Sequence, residues 1–147
     1  MSPFRRILYA TDFSPASRAA YTKALELAKQ PRTTLFVLHV LTPPSPFLGD
    51  KLPSSYQELQ WLARRDAERR LGAMVAKLRK GRIERVASKL VEGAPSEQII
   101  RYANRWRADV IVIGIHGRSG LSRMFMGSVA ERVLQRAQCP VLTVAGR

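Results

Sequence analysis

Apolar residues along the 147-residue chain fall into two alternating patterns. Short runs with little or no polar interruption occupy residues 7–10, 34–40, 110–113 and 141–144. At 34–40 and 110–113 such a run predicts a strand covered on both faces, because a half-exposed strand would alternate, and 7–10 and 141–144 read as short strands. Residues 83–91, with more polar positions and closed by Gly93, read as a further strand. Between the runs, apolar positions recur at helical spacing. Residues 16–29 place Ala20, Tyr21, Ala24, Leu25 and Ala28 on one face, with Ser14 set to cap the helix and Pro15 suited to its first turn. A long helix is expected from 55 to about 80, turning Leu59, Leu62, Leu71, Met74 and Leu78 toward the core, and shorter ones over 95–105 and Ser128–Arg136. The proline-rich stretch 42–53 continues neither element. Strands alternating with helices predict an α/β fold, a doubly wound parallel sheet with helices on both faces. The length suits a single domain over residues 1–147, large enough to build a core without metal or disulfide.

The fourth run ends in a glycine-punctuated loop, GIHGRSGLSRMFMGSVAERVL, that feeds the last helix. Glycines let a ligand approach the backbone closely, and the unpaired N–H groups of a helix start favour negative charge. Strand, loop and helix start together read as a phosphate cradle. Neither the Walker pattern nor the dinucleotide GxGxxG is present. Gly117, Gly127 and Ser128 are expected to offer backbone N–H groups to phosphates, with Val129 adding its own from the first helical turn. Arg118 is placed to meet phosphate in a bidentate way, whereas Arg123 is expected to face solvent. His116 lies inside the loop with no visible nucleophile or base beside it, so it reads as a positioning or packing residue of the site. His39, in an apolar strand, reads as a core histidine with its ring nitrogens satisfied.

The spacing Gly-x2-Gly-x9-Gly-Ser, formed by Gly114, Gly117, Gly127 and Ser128, resembles the nucleotide-binding signature of the ATP-binding branch of the universal stress protein family. The opening RRILYATDFS resembles that family's first strand with its acidic residue, and the ending CPVLTVAGR its last strand, so the resemblance spans essentially the whole chain. It implies a five-stranded sheet of order 3-2-1-4-5, whose switch point lies between the first and fourth strands, where open α/β sheets bind ligands. Ala10, where the family often has Pro, and Thr11 correspond to positions beside the nucleoside. Asp12 corresponds to a polar partner for the ribose or for nucleotide-bound Mg2+, the alternative being a side chain that only caps the following turn. Val40 resembles the position whose backbone meets the adenine edge, and Ile113 and Gly114 line the exit of the fourth strand. The resemblance also implies a homodimer paired through Val141–Val144, a short apolar strand that otherwise leaves an open edge.

Charge changes this picture less than its size suggests. Twenty-five Lys and Arg against eleven Asp and Glu give a formal charge of +14. Such a balance can attract nucleic acid or another anionic partner. The basic residues are nonetheless spread over several segments with no aromatics interleaved, which favours a solvated basic surface. Cys139 is the sole cysteine, so no internal disulfide forms; it reads as a small buried hydrophobe, and the usage suits a cytoplasmic protein. No stretch reaches the ~20 apolar residues of a membrane span. The first reading is therefore an ATP-binding regulatory or stress-response module. The alternatives are a nucleotide-free module that binds nucleic acid or another anion through its basic surface, and a slow ATPase. No kinase catalytic-loop pattern or Walker lysine supports catalysis beyond slow hydrolysis.

Overall fold

A computed structural model describes residues 4–42, 54–115 and 127–146. Nine elements follow in chain order: β1 (Arg6–Ala10), α1 (Pro15–Ala28), β2 (Thr34–Leu41), α2 (Ser54–Lys80), β3 (Val86–Glu92), α3 (Pro95–Trp106), β4 (Val110–Gly114), α4 (Ser128–Arg136) and β5 (Val141–Val144). The strands form one parallel sheet of order β3-β2-β1-β4-β5. This is the α/β architecture expected, switch point included.

Period-two alternation divides the core into two layers. Ile7, Tyr9, Leu35, Val37, Val110 and Val112 point to the face covered by α1 and α2. Leu8, Ala10, Leu38, Ile111 and Ile113 point to the face covered by α3 and α4. Every one of these side chains is buried. The central strands need apolar residues at consecutive positions because both faces are covered. At the start of β1, the Asp109 carboxylate accepts the N–H groups of Arg5 and Arg6, both at 2.8 Å, and so locks β4 in register beside it.

Two sequence expectations about the long helix and its successor do not hold. Leu71 and Leu78 are buried and Met74 packs on the core, but Leu59 and Leu62 are 63% and 50% exposed. The cause is length. Twenty-seven helical residues span about 40 Å, whereas the longest strand, at eight residues, spans about 26 Å. The first part of α2 therefore overhangs the sheet. The third strand also begins later than residue 83. Ile83 is buried, but it sits in a turn after α2, its N–H bonded to the Leu78 carbonyl and Arg82 before it in the left-handed region at φ 68°.

Nor are the basic residues without aromatic neighbours. Arg65 lies over Trp61, Arg70 over Phe13, Lys77 over Tyr21 and Lys89 over Tyr102, at 4.8–5.8 Å from the ring centroids. Cys139 is half-buried rather than buried, packed against the α3/α4 layer, and burial pushes its thiol pKa up. Among the described residues, no helix is long and apolar enough to cross a membrane.

Candidate functional site

At the switch point β1 and β4 lie side by side, and their connections depart to opposite faces of the sheet. A cavity of about 380 Å³ opens there, at the carboxyl ends of the strands. That is toward the small end of the ~300–1,000 Å³ typical of small-molecule pockets. Its walls come from the ends of β1, β2 and β4 and the starts of α1, α3 and α4.

The β1–α1 turn is the most tightly bonded wall. Phe13 takes a left-handed conformation (φ 62°). Its N–H donates to Thr11 Oγ1 at 3.0 Å, and the Ser14 N–H donates to Asp12 Oδ1 at 2.9 Å. Asp12 thus does close an Asx turn, and it lines the cavity as well. Ser14 Oγ accepts the Ser17 N–H at 3.2 Å as the helix cap, with Pro15 following. Beneath the turn, Ser17 Oγ donates to Thr11 Oγ1 at 2.7 Å, and the buried Tyr9 hydroxyl bonds both the Ser17 carbonyl and Ser17 Oγ. Burial raises the Tyr9 pKa, opposed in part by the Ser17 and Thr11 hydroxyls. From β2, His39 is buried with Nδ1 2.7 Å from the Thr11 carbonyl and its ring 4.5 Å from that of Phe13. It is the satisfied core histidine expected, and it also lines the cavity.

The opposite wall is built differently. Gly114 ends β4 against the first turn of α1, where an added Cβ would lie 2.7 Å from the Ala16 carbonyl oxygen. Its glycine is required by packing of protein on protein. Gly127 caps α4 in an ordinary extended conformation (φ −62°, ψ 149°) that any residue can adopt, and it makes no side-chain cap. Its N–H is already donated to the Ile115 carbonyl at 2.6 Å. The expectation that Gly127 offers its own N–H to phosphate is corrected accordingly. What the helix start offers are the N–H groups of Ser128, Val129 and Ala130, which have no acceptor within an α-helix.

Ala10, Thr11, Asp12, Val40, Ile113, Gly114, Gly127, Ser128 and Val129 all line this one cavity. His116, Gly117, Arg118 and Arg123 lie outside the described residues. Sequence reasoning missed Ser17, Leu41, Thr42, Pro95 and Ile99, which also line it. Their signal was positional: each is at or within a few residues of a strand's carboxyl end or the following helix start. Among the described residues no group of three or more His, Cys, Asp or Glu is placed to hold a metal ion. Asp12 is the one carboxylate among the described residues lining the cavity, so it could supply a single ligand to a cation otherwise held by phosphates.

Comparison with known proteins agrees with this architecture. The family model described as the universal stress protein family matches residues 3–145. The universal stress protein MJ0531 of Methanocaldococcus jannaschii is 33% identical over 141 residues, covering 96% of this chain and 82% of that protein. The solved structure of MJ0577, from the same organism, superposes with a TM-score of 0.85 at 26% identity, over 99% of both chains. An Arabidopsis thaliana universal stress family protein solved with AMP bound shares the fold, with a TM-score of 0.68 at 20% identity over 96% of this chain and 91% of that one. The chain belongs to the universal stress protein family.

Proposed function

We propose that the crevice binds an adenine nucleotide, ATP foremost, and that the protein is a nucleotide-dependent regulatory module of the stress response. The observation that carries this reading is the uncapped start of α4 facing the Asp12 turn across one cavity at the switch point. The N–H groups of Ser128, Val129 and Ala130, with the Ser128 hydroxyl, meet the phosphates, helped by Gly117 and Arg118 from the loop. Thr11 and Asp12 face the ribose, and Asp12 ligates Mg2+ held by the phosphates. Ala10, Val40 and Ile113 form the apolar floor under the base, with the Val40 backbone at its edge. The Arabidopsis protein with AMP bound supports the ligand class. Asp12 aside, the described lining has no carboxylate to act as a base, so any hydrolysis on this reading is slow and serves at most as a timer.

We place the protein in the cytoplasm as a homodimer. β5 is an edge strand with no buried residue among its four, and antiparallel pairing with a second copy would satisfy its open backbone. Light scattering at micromolar concentration should give twice the chain mass; the mass of one chain refutes the dimer.

Calorimetric titration of ATP into nucleotide-stripped protein tests the site. Saturation near one ATP per chain is expected, with tighter binding in Mg2+. Asp12→Ala should weaken binding about tenfold in Mg2+ and less without it. An equal loss in both conditions assigns Asp12 to the ribose, and no binding by folded protein removes the nucleotide reading.

A further inference from the structure

The charge of the chain is not spread evenly over its helices. α1, α3 and α4 each carry one more basic than acidic residue, whereas α2 carries seven Lys and Arg against three Asp and Glu. Lys77, Arg79 and Lys80 lie in its last turn, and Arg64, Arg65, Arg69 and Arg70 cluster in its first part beside the acids. Its overhanging part holds exposed Leu59, Trp61 and Leu62. A shallow cleft there is walled by Trp61, Arg64, Arg65, Glu68 and Arg69, with the Arg65 guanidinium over the indole at 4.8 Å. Arg64 pairs with Glu92 and Glu68, and Arg69 and Arg70 both pair with Asp66, while Arg65 has no ion pair among the described residues. Arg69 remains 79% exposed even so.

An exposed indole set among arginines has the chemistry of a site for single-stranded nucleic acid: a ring on which an unpaired base stacks, and guanidinium groups for the flanking phosphates. We propose that this segment of α2 docks single-stranded nucleic acid. A membrane surface fits less well. At about 100° per residue, Leu59 and Leu62 share a flank but Trp61 lies roughly opposite Leu59, so the segment has no single apolar stripe to lay into lipid. A second copy of the same face would set arginines against arginines. Duplex DNA would satisfy the arginines but keeps its bases stacked away from Trp61. The surface is separate from the crevice, since none of its residues lines the cavity, and the proposal does not depend on nucleotide binding there.

The test is fluorescence anisotropy of labelled oligo(dT) and oligo(U), about a dozen nucleotides long, against the full chain over a salt series. Saturable binding is expected. Trp61→Ala should weaken it about 5- to 140-fold, the worth of one stacked base. Arg65→Ala with Arg69→Ala should lower the slope of log K against log salt by about 1.4, or 0.7 per lost phosphate contact. Arg101→Ala with Arg105→Ala removes the same charge from α3, on the other face of the sheet, and should change affinity less than about threefold. All these residues are exposed, and circular dichroism checks that the variants fold. The proposal is overturned by absence of saturable binding at low salt, by Trp61→Ala binding as wild type, or by the α3 pair costing as much as the α2 pair. Tighter binding to duplex or to phosphatidylserine vesicles than to single strands overturns it too.

Discussion

Two helices begin at the same cavity and are started in opposite ways. α1 is closed on itself: Ser14 caps it, Pro15 occupies the first turn, and Asp12 and Thr11 take up the N–H groups of the turn before it. α4 is open: Gly127 caps it with no side chain, in a conformation that does not require glycine. At a helix start that lacks a side-chain cap, the N–H groups of Ser128, Val129 and Ala130 have no acceptor within the helix. Gly114 makes the contrast sharper, because its hydrogen is the only group that fits against Ala16. One glycine of the site serves the fold; the other is the one on which the proposed nucleotide reading depends.

The comparison is broken most directly by giving α4 the start that α1 has. Gly127→Asp places a carboxylate where it caps the helix and complements its dipole, stabilising the fold by about 0.5 kcal/mol. On the proposed nucleotide reading the same carboxylate faces the phosphates, and like charges at contact cost several kcal/mol. ATP affinity in calorimetry should fall at least ~100-fold while the melting temperature holds or rises. Loss of both together would mean that Gly127 is structural after all. Gly114→Ala should do the reverse. A methyl 2.7 Å from a backbone oxygen displaces the start of α1, a loss of about 2–3 kcal/mol in urea unfolding. Unchanged stability would show that the β4–α1 contact gives way freely.

How much of this was readable in the sequence depends on how local the cause is. β1, β2, β4 and β5 appear as apolar runs or a hairpin-free apolar ending, and Ser14-Pro15 marks the start of α1 to the residue. β3 is an edge strand whose exposed middle holds Ala87, Ser88 and Lys89, while buried Ile83 lies outside it; hydrophobicity and strand membership part company there. Leu59 and Leu62 carry the periodicity of core positions, but no local pattern tells a helix that the sheet beneath it has ended. The cavity residues at the ends of β1 and β4 were legible because topology alone brings those two strands together. The bond from the Gly127 N–H to Ile115 and the need for glycine at 114 were not, because each depends on where another segment of backbone comes to rest.

A smaller effect separates the cap of α1 from the cavity it borders. Ser14→Ala removes the acceptor for the Ser17 N–H, worth about 1 kcal/mol. Because that hydroxyl is already committed to the helix, ATP affinity should stay within about twofold of wild type. A tenfold loss in calorimetry would make the start of α1 part of the ligand site and erase the contrast with α4.

A last effect, with little expected consequence for the ligand site, lies beneath the closed wall, in how Tyr9 titrates. Its folded pKa is raised by burial above the ordinary 10.0. Below pH 10 the phenol is protonated in both folded and unfolded chains and makes no pH-dependent contribution. Above it, the unfolded chain releases the proton while the folded chain retains it, so stability falls as pH climbs toward the raised folded value. The slope approaches about 1.4 kcal/mol per pH unit for one proton. Tyr9→Phe should lower stability near neutrality by about 1 kcal/mol, for the lost bonds to Ser17, and flatten the alkaline limb. Lysines titrate in the same range, so the difference between variant and wild type isolates Tyr9. Tyr21, also raised by burial but far less enclosed, is the control: Tyr21→Phe should flatten that limb less. Equal alkaline slopes for wild type and Tyr9→Phe in urea unfolding between pH 8 and about 11 would mean that the wall opens before Tyr9 ionises, and the turn that holds Asp12 would then be the weaker of the two.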